Sequence, residues 1–226
     1  MTGKFRQLCL GLSLCLIAAL AIGGASEAVA GNGNTLLAFD VFELNLDIDT
    51  TLNINGDTRF FSSRHRRNVG GRFMGHSRGA EGKTLYFGHF LGLMWGRSNF
   101  LLNWEEPGLQ SFPPLDSSIT TIAIPYGIDL NWRIGSLLVL SPYVSAKAML
   151  LHMQLEISNE DFSGNAFKLG LDAGLKVALN LGKHTIVAGA GMTHILNDEI
   201  EFEIEDLEFD SKTSGSSPEF FLGMEF

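Results

Sequence analysis

The chain is poor in cysteine. Its 226 residues carry two, Cys9 and Cys15, and neither lies beyond residue 30. A disulfide framework, a thiolate metal site and a cysteine nucleophile are therefore excluded from everything downstream. Long apolar runs are also missing after residue 30. Any membrane crossing there has to use strands, because lipid admits only helices and closed barrels. Basic charge is scarce as well. Lys4 and Arg6 take two of the 16 basic residues and Glu27 one of the 25 acidic ones, so 14 face 24 from Gly31 onward, a net charge of −10. That balance argues against nucleic acid as a partner. No His-x-Ser occurs. His89, His152, His184 and His194 are isolated within strand-like stretches, and His65 and His76 are too far apart in a loose segment to suggest a metal site. No catalytic, cofactor or metal residues are assigned.

The first thirty residues read as an export signal. Lys4 and Arg6 form a basic start, Leu8 to Ile22 is uncharged and mostly apolar, and Ala28-Val29-Ala30 is a small-x-small site. Cleavage is expected after Ala30, leaving one domain over 31–226. The apolar run is short of the ~20 residues that a retained membrane helix needs.

Beyond the signal, apolar and polar residues alternate with period two. A first strand is expected over Leu36–Asp49, with Phe42, Leu44, Leu46 and Ile48 against Glu43, Asn45, Asp47 and Asp49. Thr50–Lys83 is expected to be a long basic loop. A second strand runs Thr84–Trp95 and has apolar residues on both faces. Gly96-Arg97-Ser98 reads as a turn before a third strand, Asn99–Glu105, and Glu106–Ser117 as a loop. The fourth strand, Ser118–Ile134, is the cleanest: Ile122, Ile124, Tyr126, Ile128, Leu130 and Trp132 oppose Thr121, Ala123, Pro125, Gly127, Asp129 and Asn131. Pro125 is out of place in a closed sheet, since it lacks a ladder donor. A fifth strand over Leu137–Ile157, a loop at Ser158–Gly164, a sixth strand over Asn165–Leu181 and a turn at Gly182-Lys183 come next. A seventh strand is expected over His184–Glu205, followed by Asp206–Ser216 and a last strand over Ser217–Phe226. There Pro218, Phe220, Leu222, Met224 and Phe226 share one face. Short connections follow the even strands and long ones the odd strands. Transmembrane barrels sort their loops in this way and soluble sandwiches have no reason to.

With its signal, loop parity, one-face-apolar strands and terminal aromatic, the chain resembles the small eight-stranded outer-membrane barrels of Gram-negative bacteria, the OmpA, OmpX and OmpW type. The resemblance implies an all-β, antiparallel, up-and-down transmembrane barrel in the outer membrane, reached through the periplasm. Its partners would be outer-membrane lipid, lipopolysaccharide and the barrel assembly machinery, which would read Phe220, Leu222, Met224 and Phe226. Trp95, Trp104, Tyr126, Trp132, Tyr143 and Phe226 are compatible with interfacial girdles.

A barrel would hold two charge sets. Glu43, Asn45, Asp129, Asn131, Lys147, Lys168, Asp172, Lys176, Glu219 and Glu225 are expected in the lumen, paired, because eight strands leave just enough room for side chains. Arg64, Arg66, Arg67 and Arg72 of the basic loop are expected to dock against Glu199, Glu201, Glu203 and Glu205, or else to bind lipopolysaccharide phosphates. The expected function is a structural or surface-interaction role through the loops. A small-solute pore and a lipid A-modifying enzyme stand as alternatives.

Overall fold

The computed structural model describes residues 33–42, 46–54, 57–64, 68–78, 83–104, 114–157, 160–182, 184–196, 199–204, 207–213 and 216–226. Side chains are described for 35–39, 68–77, 83–104, 114–156, 162–182, 184–196 and 216–226. Signal residues Ala28 and Ala30, and Glu43, Asn45, Arg66, Arg67 and Glu205, lie outside the described residues.

The strands are β1 (Gly33–Phe42), β2 (Leu46–Ile54), β3 (Asp57–Arg64), β4 (Asn68–Arg78), β5 (Leu85–Trp104), β6 (Leu115–Ile134), β7 (Leu138–Ile157), β8 (Glu160–Asn180), β9 (Thr185–Leu196), β10 (Glu199–Ile204), β11 (Leu207–Thr213) and β12 (Ser216–Glu225). Among the described residues, eight of them close an antiparallel ring in the order β1-β4-β5-β6-β7-β8-β9-β12 and back to β1. The seam between first and last strands ends in two backbone bonds, Thr35 N–H to Phe226 O at 3.2 Å and Phe226 N–H to Thr35 O at 3.0 Å. Closure leaves no free edge in this ring, which is what lipid requires of a sheet.

The ring is staggered. Following paired residues from Arg133 through Val139, Ala178, Val187, Gly223, Ala38, Arg72 and Met94 leads back to β6 at Ala123, ten residues from the start (133 − 123). Such a shear tilts the strands by about 40° and leaves an interior just wide enough for side chains. Two ribbons extend the ring at one end. β2 and β3 continue β1 and β4 as a hairpin, and β10 and β11 continue β9 and β12. Pairings β3–β5, β10–β8 and β11–β2 carry the ladder on above it. At the other end the turns are tight, with Gly135 and Gly182 at φ 64° and 81°, where a side chain would be strained.

The eightfold count stands as expected, but the sorting of connections by length does not, since β7 ends at Ile157 and β8 begins at Glu160, and neither do the second and third strands. The segment 50–83 is not a loop: it contains most of the β2–β3 ribbon and all of β4, a full ring strand. Gly96-Arg97-Ser98 is no turn, and the stretches 84–95 and 99–105 are one continuous β5. The alternation never breaks there, since Gly96 and Ser98 point inward while Arg97 points outward. The first strand is interrupted after Phe42, the seventh after Leu196, and β8 starts at Glu160 rather than Asn165. Pro125 sits inside β6 and interrupts its pairing with β5 between Tyr126 and Ala123, while the β7 side stays paired.

The outer wall is apolar over eleven to thirteen residues per strand, 85–95, 122–134, 138–150 and 167–179, apart from His89. At a strand rise of ~3.3 Å and this tilt, that is a band about 25–30 Å tall, the thickness of a bilayer's hydrocarbon core. Its upper edge is one register step. Trp95, Ile122, Leu150 and Phe167 lie on one row. The next outward-facing row is Arg97, Thr120, His152 and Asn165, and the one after it Asn99, Ser118, Gln154 and Ser163. The two apolar faces of β5 are told apart by the ring: Leu85, Phe87, Leu93 and Trp95 face out, Tyr86, Phe90 and Met94 in. Of the expected girdle residues, Trp104 packs on the interior cluster and Tyr143 is buried in the lumen. Trp95 is exposed in the middle of β5, at the band's edge, and Tyr126, Trp132 and Phe226 are exposed on the outside.

Candidate functional site: a filled lumen in two storeys

The inward faces of the ring strands alternate strictly with the lipid-facing ones, so the sequence delivers one lumen residue in two. Within the apolar band those residues are polar and joined. Glu219 on β12 accepts from Arg72 of β4 at 2.5 Å and from Lys147 of β7 at 2.6 Å. Lys147 also reaches Asp172 of β8 at 3.1 Å, and the Ser145 hydroxyl donates to the same carboxylate at 2.9 Å. Thr193 of β9 lies 3.3 Å from Lys147. This chain of contacts crosses the barrel from β4 to β8.

A second set lies toward the tight turns. Lys176 pairs with Asp129, which also accepts from Asn131 at 2.6 Å, and the Ser141 hydroxyl donates to Asn131 at 2.7 Å. His76 of β4 faces Glu225 through Nδ1 at 2.9 Å and the Lys176 ammonium through Nε2 at 3.4 Å. A cavity of about 30 Å³ lies between these groups, room on the scale of a single water. Arg72, Lys147, Lys176, Asp129, Asp172 and Glu219 are all below a tenth exposed. A charge that deep is tolerable only when it is paired and its remaining hydrogen bonds are met.

Aromatic rings fill the space between the charges. The Arg72 guanidinium lies 3.9 Å over the Phe221 ring, and the Lys176 ammonium 4.6 Å over Phe90. Phe90 and Tyr143 meet edge to face at 5.9 Å. Glycines opposite make room. A Cβ at Gly174 would stand 2.7 Å from the Tyr143 ring, one at Gly191 2.5 Å from its hydroxyl oxygen, and one at Gly189 inside 3.0 Å of three Phe221 ring atoms.

Toward the ribbons the lumen changes character. Met94, Leu102, Ile119, Ala123, Met149, Leu151, Met153, Leu155, Ala166 and Ile195 form a buried apolar cluster, with Phe100, Trp104, Leu115 and Phe162 against it. Where the outer wall turns polar, the inner wall turns apolar. The same strands thus run from a membrane-type section, greasy outside and charged inside, into a section with the polarity of a water-soluble barrel.

Of the residues expected in the lumen, Asp129, Lys147, Asp172, Lys176, Glu219 and Glu225 are there and linked. Asn131 is there, half-buried, and Lys168 is buried on β8 opposite Met149 in register. The expectation that Arg72 and His76 belong to a basic loop is corrected: both lie on β4 and point into the lumen. Arg72 is therefore spoken for by Glu219 and is not free to dock on an acidic loop. Its signal was its spacing, since Arg72, Met74 and His76 fall on one side of an extended strand. The strand with Glu199, Glu201 and Glu203, β10, borders β8 and β11, whereas β3, with Arg64, borders β2 and β5. The two ribbons meet through β11 and β2, at Lys212 opposite Asp47. The side chains of those ribbons lie outside the described ones. His89, His152, His184 and His194 all sit on the outer wall, His152 bonded to Asn165 at 2.8 Å and His184 against Phe226. The terminal-strand residues Phe220, Leu222, Met224 and Phe226 face outward, as their alternation requires.

No family model matches the chain, and no curated protein matches it in sequence. Solved structures of similar fold include Ail, the attachment invasion locus protein of Yersinia pestis, at 13% identity over 86% of this chain and 99% of that one, with a TM-score of 0.43. Another is the outer membrane protease OmpT of Escherichia coli, at 5% identity over 87% and 96%, TM-score 0.48. Neisserial surface protein A is similar at 12% identity over 85% and 95%, TM-score 0.40.

Proposed function

We propose that this chain is an integral outer-membrane barrel with a closed lumen, exported through the periplasm, whose work is done at the surface by the section beyond the apolar band. The observation that carries the reading is the double filling of the lumen. Paired charges and aromatic rings occupy the membrane-level section, and an apolar cluster lies across the section above. A conducting path through that cluster would have to strip an ion of water against methionine, leucine and isoleucine, with few buried polar groups on the same rows, Ser98, Ser117, Thr121 and Lys168 among them. On this reading the lumen is structural, and the extended ribbons and polar outer wall are left for contacts. The partners are outer-membrane lipid, including lipopolysaccharide, and the assembly machinery, for which the outward row Phe220, Leu222, Met224 and Phe226 is the readable face. The ribbon charges Arg64, Glu199, Glu201 and Glu203 belong to the surface section in this proposal.

Single-channel recording in a planar bilayer tests it. Refolded wild type, its insertion confirmed by a mobility shift on boiling, is compared with Met153→Gly/Leu155→Gly. Deleting 50–83 would not serve as a control, because it removes β4. The wild type is expected to be silent and the variant to show brief openings. Steady unit steps in the wild type sink the closed-lumen reading and put a solute pore in its place.

A further inference from the structure

We infer that Arg97 is the anion subsite of a lipid-binding groove on the outer wall, taking the phosphate of an anionic lipid headgroup at that edge of the bilayer. The inference rests on the membrane-spanning reading above and gives it a specific contact. The lumen cations Arg72, Lys147 and Lys176 each have a carboxylate. Among the described residues, Arg97 has none: its guanidinium is exposed, and its partners are neutral, Ser118 Oγ at 3.3 Å and Gln154 Oε1 at 3.5 Å. Ser118 in turn donates to Gln154 Oε1 at 3.4 Å, so two neighbours hold the arginine without cancelling its charge.

Its place in the register supplies the ligand. Arg97 is one outward position above Trp95 and lies on the first polar row above Trp95, Ile122, Leu150 and Phe167. That step is where hydrocarbon gives way to headgroups, and an indole there is a common interfacial anchor. A groove of about 470 Å³ opens at this level beside Arg97, Asn99, Ser118 and Gln154. Asp116 and Glu156 also line it, but two outward rows farther from the lipid: Asp116 is opposite Leu101, and Glu156 lies beyond His152 and Gln154 on β7. A phosphate entering from the bilayer meets the guanidinium before the carboxylates. The planar fork suits phosphate oxygens, and the acyl chains would lie along the apolar rows below.

Trp95 makes the contact measurable. A variant with Trp95 as its sole tryptophan (Trp104→Phe, Trp132→Phe) is reconstituted in phosphatidylcholine mixed equally with phosphatidylglycerol, with brominated acyl chains on one lipid at a time. Brominated phosphatidylglycerol is expected to quench Trp95 as if enriched about fivefold over its share, the effect of one basic residue at an anionic surface. Arg97→Gln should reduce the enrichment to none, and Arg97→Lys, a point charge without the fork, should keep part of it. Equal enrichment in wild type and Arg97→Gln overturns the subsite while leaving the membrane reading standing. If neither brominated lipid quenches Trp95, the wall does not face lipid at this level and the membrane reading falls with it.

Discussion

Arg72 and Glu219 meet at 2.5 Å although 147 residues separate them in sequence. Arg72 is on β4 and Glu219 on β12, and β1 lies between them in the ring. The ion pair thus clasps the barrel across its first strand, beside the seam where the sheet closes on itself. Lys147 holds the same carboxylate from β7 at 2.6 Å. Glu219→Ala would leave two buried cations without that partner, and breaking a buried pair costs about 3–5 kcal/mol. Arg72→Met/Glu219→Met removes one charge of each sign and keeps the volume, so it should cost clearly less than Glu219→Ala alone. Urea unfolding in vesicles, followed by Trp fluorescence, ranks the two. A single variant no worse than the double would show that the pair has no part in holding the seam.

The fit of rings to glycines makes a second prediction. Gly189→Val would put a side chain into the space of the Phe221 ring, where real side chains do not approach so closely. The ring cannot swing freely, because Arg72 lies over its face. The fraction that folds, read from mobility with and without boiling, should fall sharply. Phe221→Ala in the same chain should recover much of it by vacating the space. Recovery with no first loss, or loss with no recovery, contradicts this packing.

The sequence reveals the strands whose outer faces are uniformly apolar and hides the one whose outer face is not. In β6, Ile122, Tyr126, Ile128 and Trp132 on one side make the strand plain. In β4 the outer face is Val69, Gly71, Phe73 and Gly75, and the inner face carries Arg72 and His76, so the segment looks like a basic, glycine-containing loop. Its apolar outer cover comes from a neighbour: the Trp95 ring lies where a Cβ of Gly71 would be, with Cζ2 at 2.6 Å. That contact is between strands, and period-two reading along one strand cannot contain it. β5 reads as two strands for a related reason, because Gly-Arg-Ser is common turn chemistry and only the ladders to β4 and β6 keep it extended. The lumen acids and lysines of β6, β7, β8 and β12 are legible because they alternate with residues that must face lipid. Who pairs with whom is not, since it depends on a stagger of ten residues that closes only once all eight strands are in place.

The apolar storey of the lumen should behave as a core. Leu151, 0% exposed within the cluster, is expected to cost about 2–5 kcal/mol as Leu151→Ala, the range for an aliphatic side chain removed from a packed interior. Leu171, on the outer wall of the next strand and 49% exposed, is expected to lose much less as Leu171→Ala, because lipid refills the space. Equilibrium unfolding of the two variants in the same vesicles makes the comparison. Equal losses would mean that the storey above the band is not packed.

The edge of the band yields the sharpest contrast, because it can be probed on one face of one strand. Leu150 and Gln154 both point outward from β7, four residues apart, on the apolar edge row and in the second polar row above it. Arginine on the lipid face costs ~2–4 kcal/mol at the bilayer midplane and about 0–1 kcal/mol near an interface. Ala146 lies four residues deeper than Leu150 on the same face. The destabilisation by Ala146→Arg, Leu150→Arg and Gln154→Arg should therefore descend in that order, with the last close to wild type. The order, read from folding free energies in vesicles, tests depth directly, since all three variants add the same side chain to the same strand. If Gln154→Arg cost as much as Ala146→Arg, the polar row would lie within the hydrocarbon. The band would then be taller than its side chains indicate, and Arg97 would have to be read as buried in lipid instead of lying at its surface.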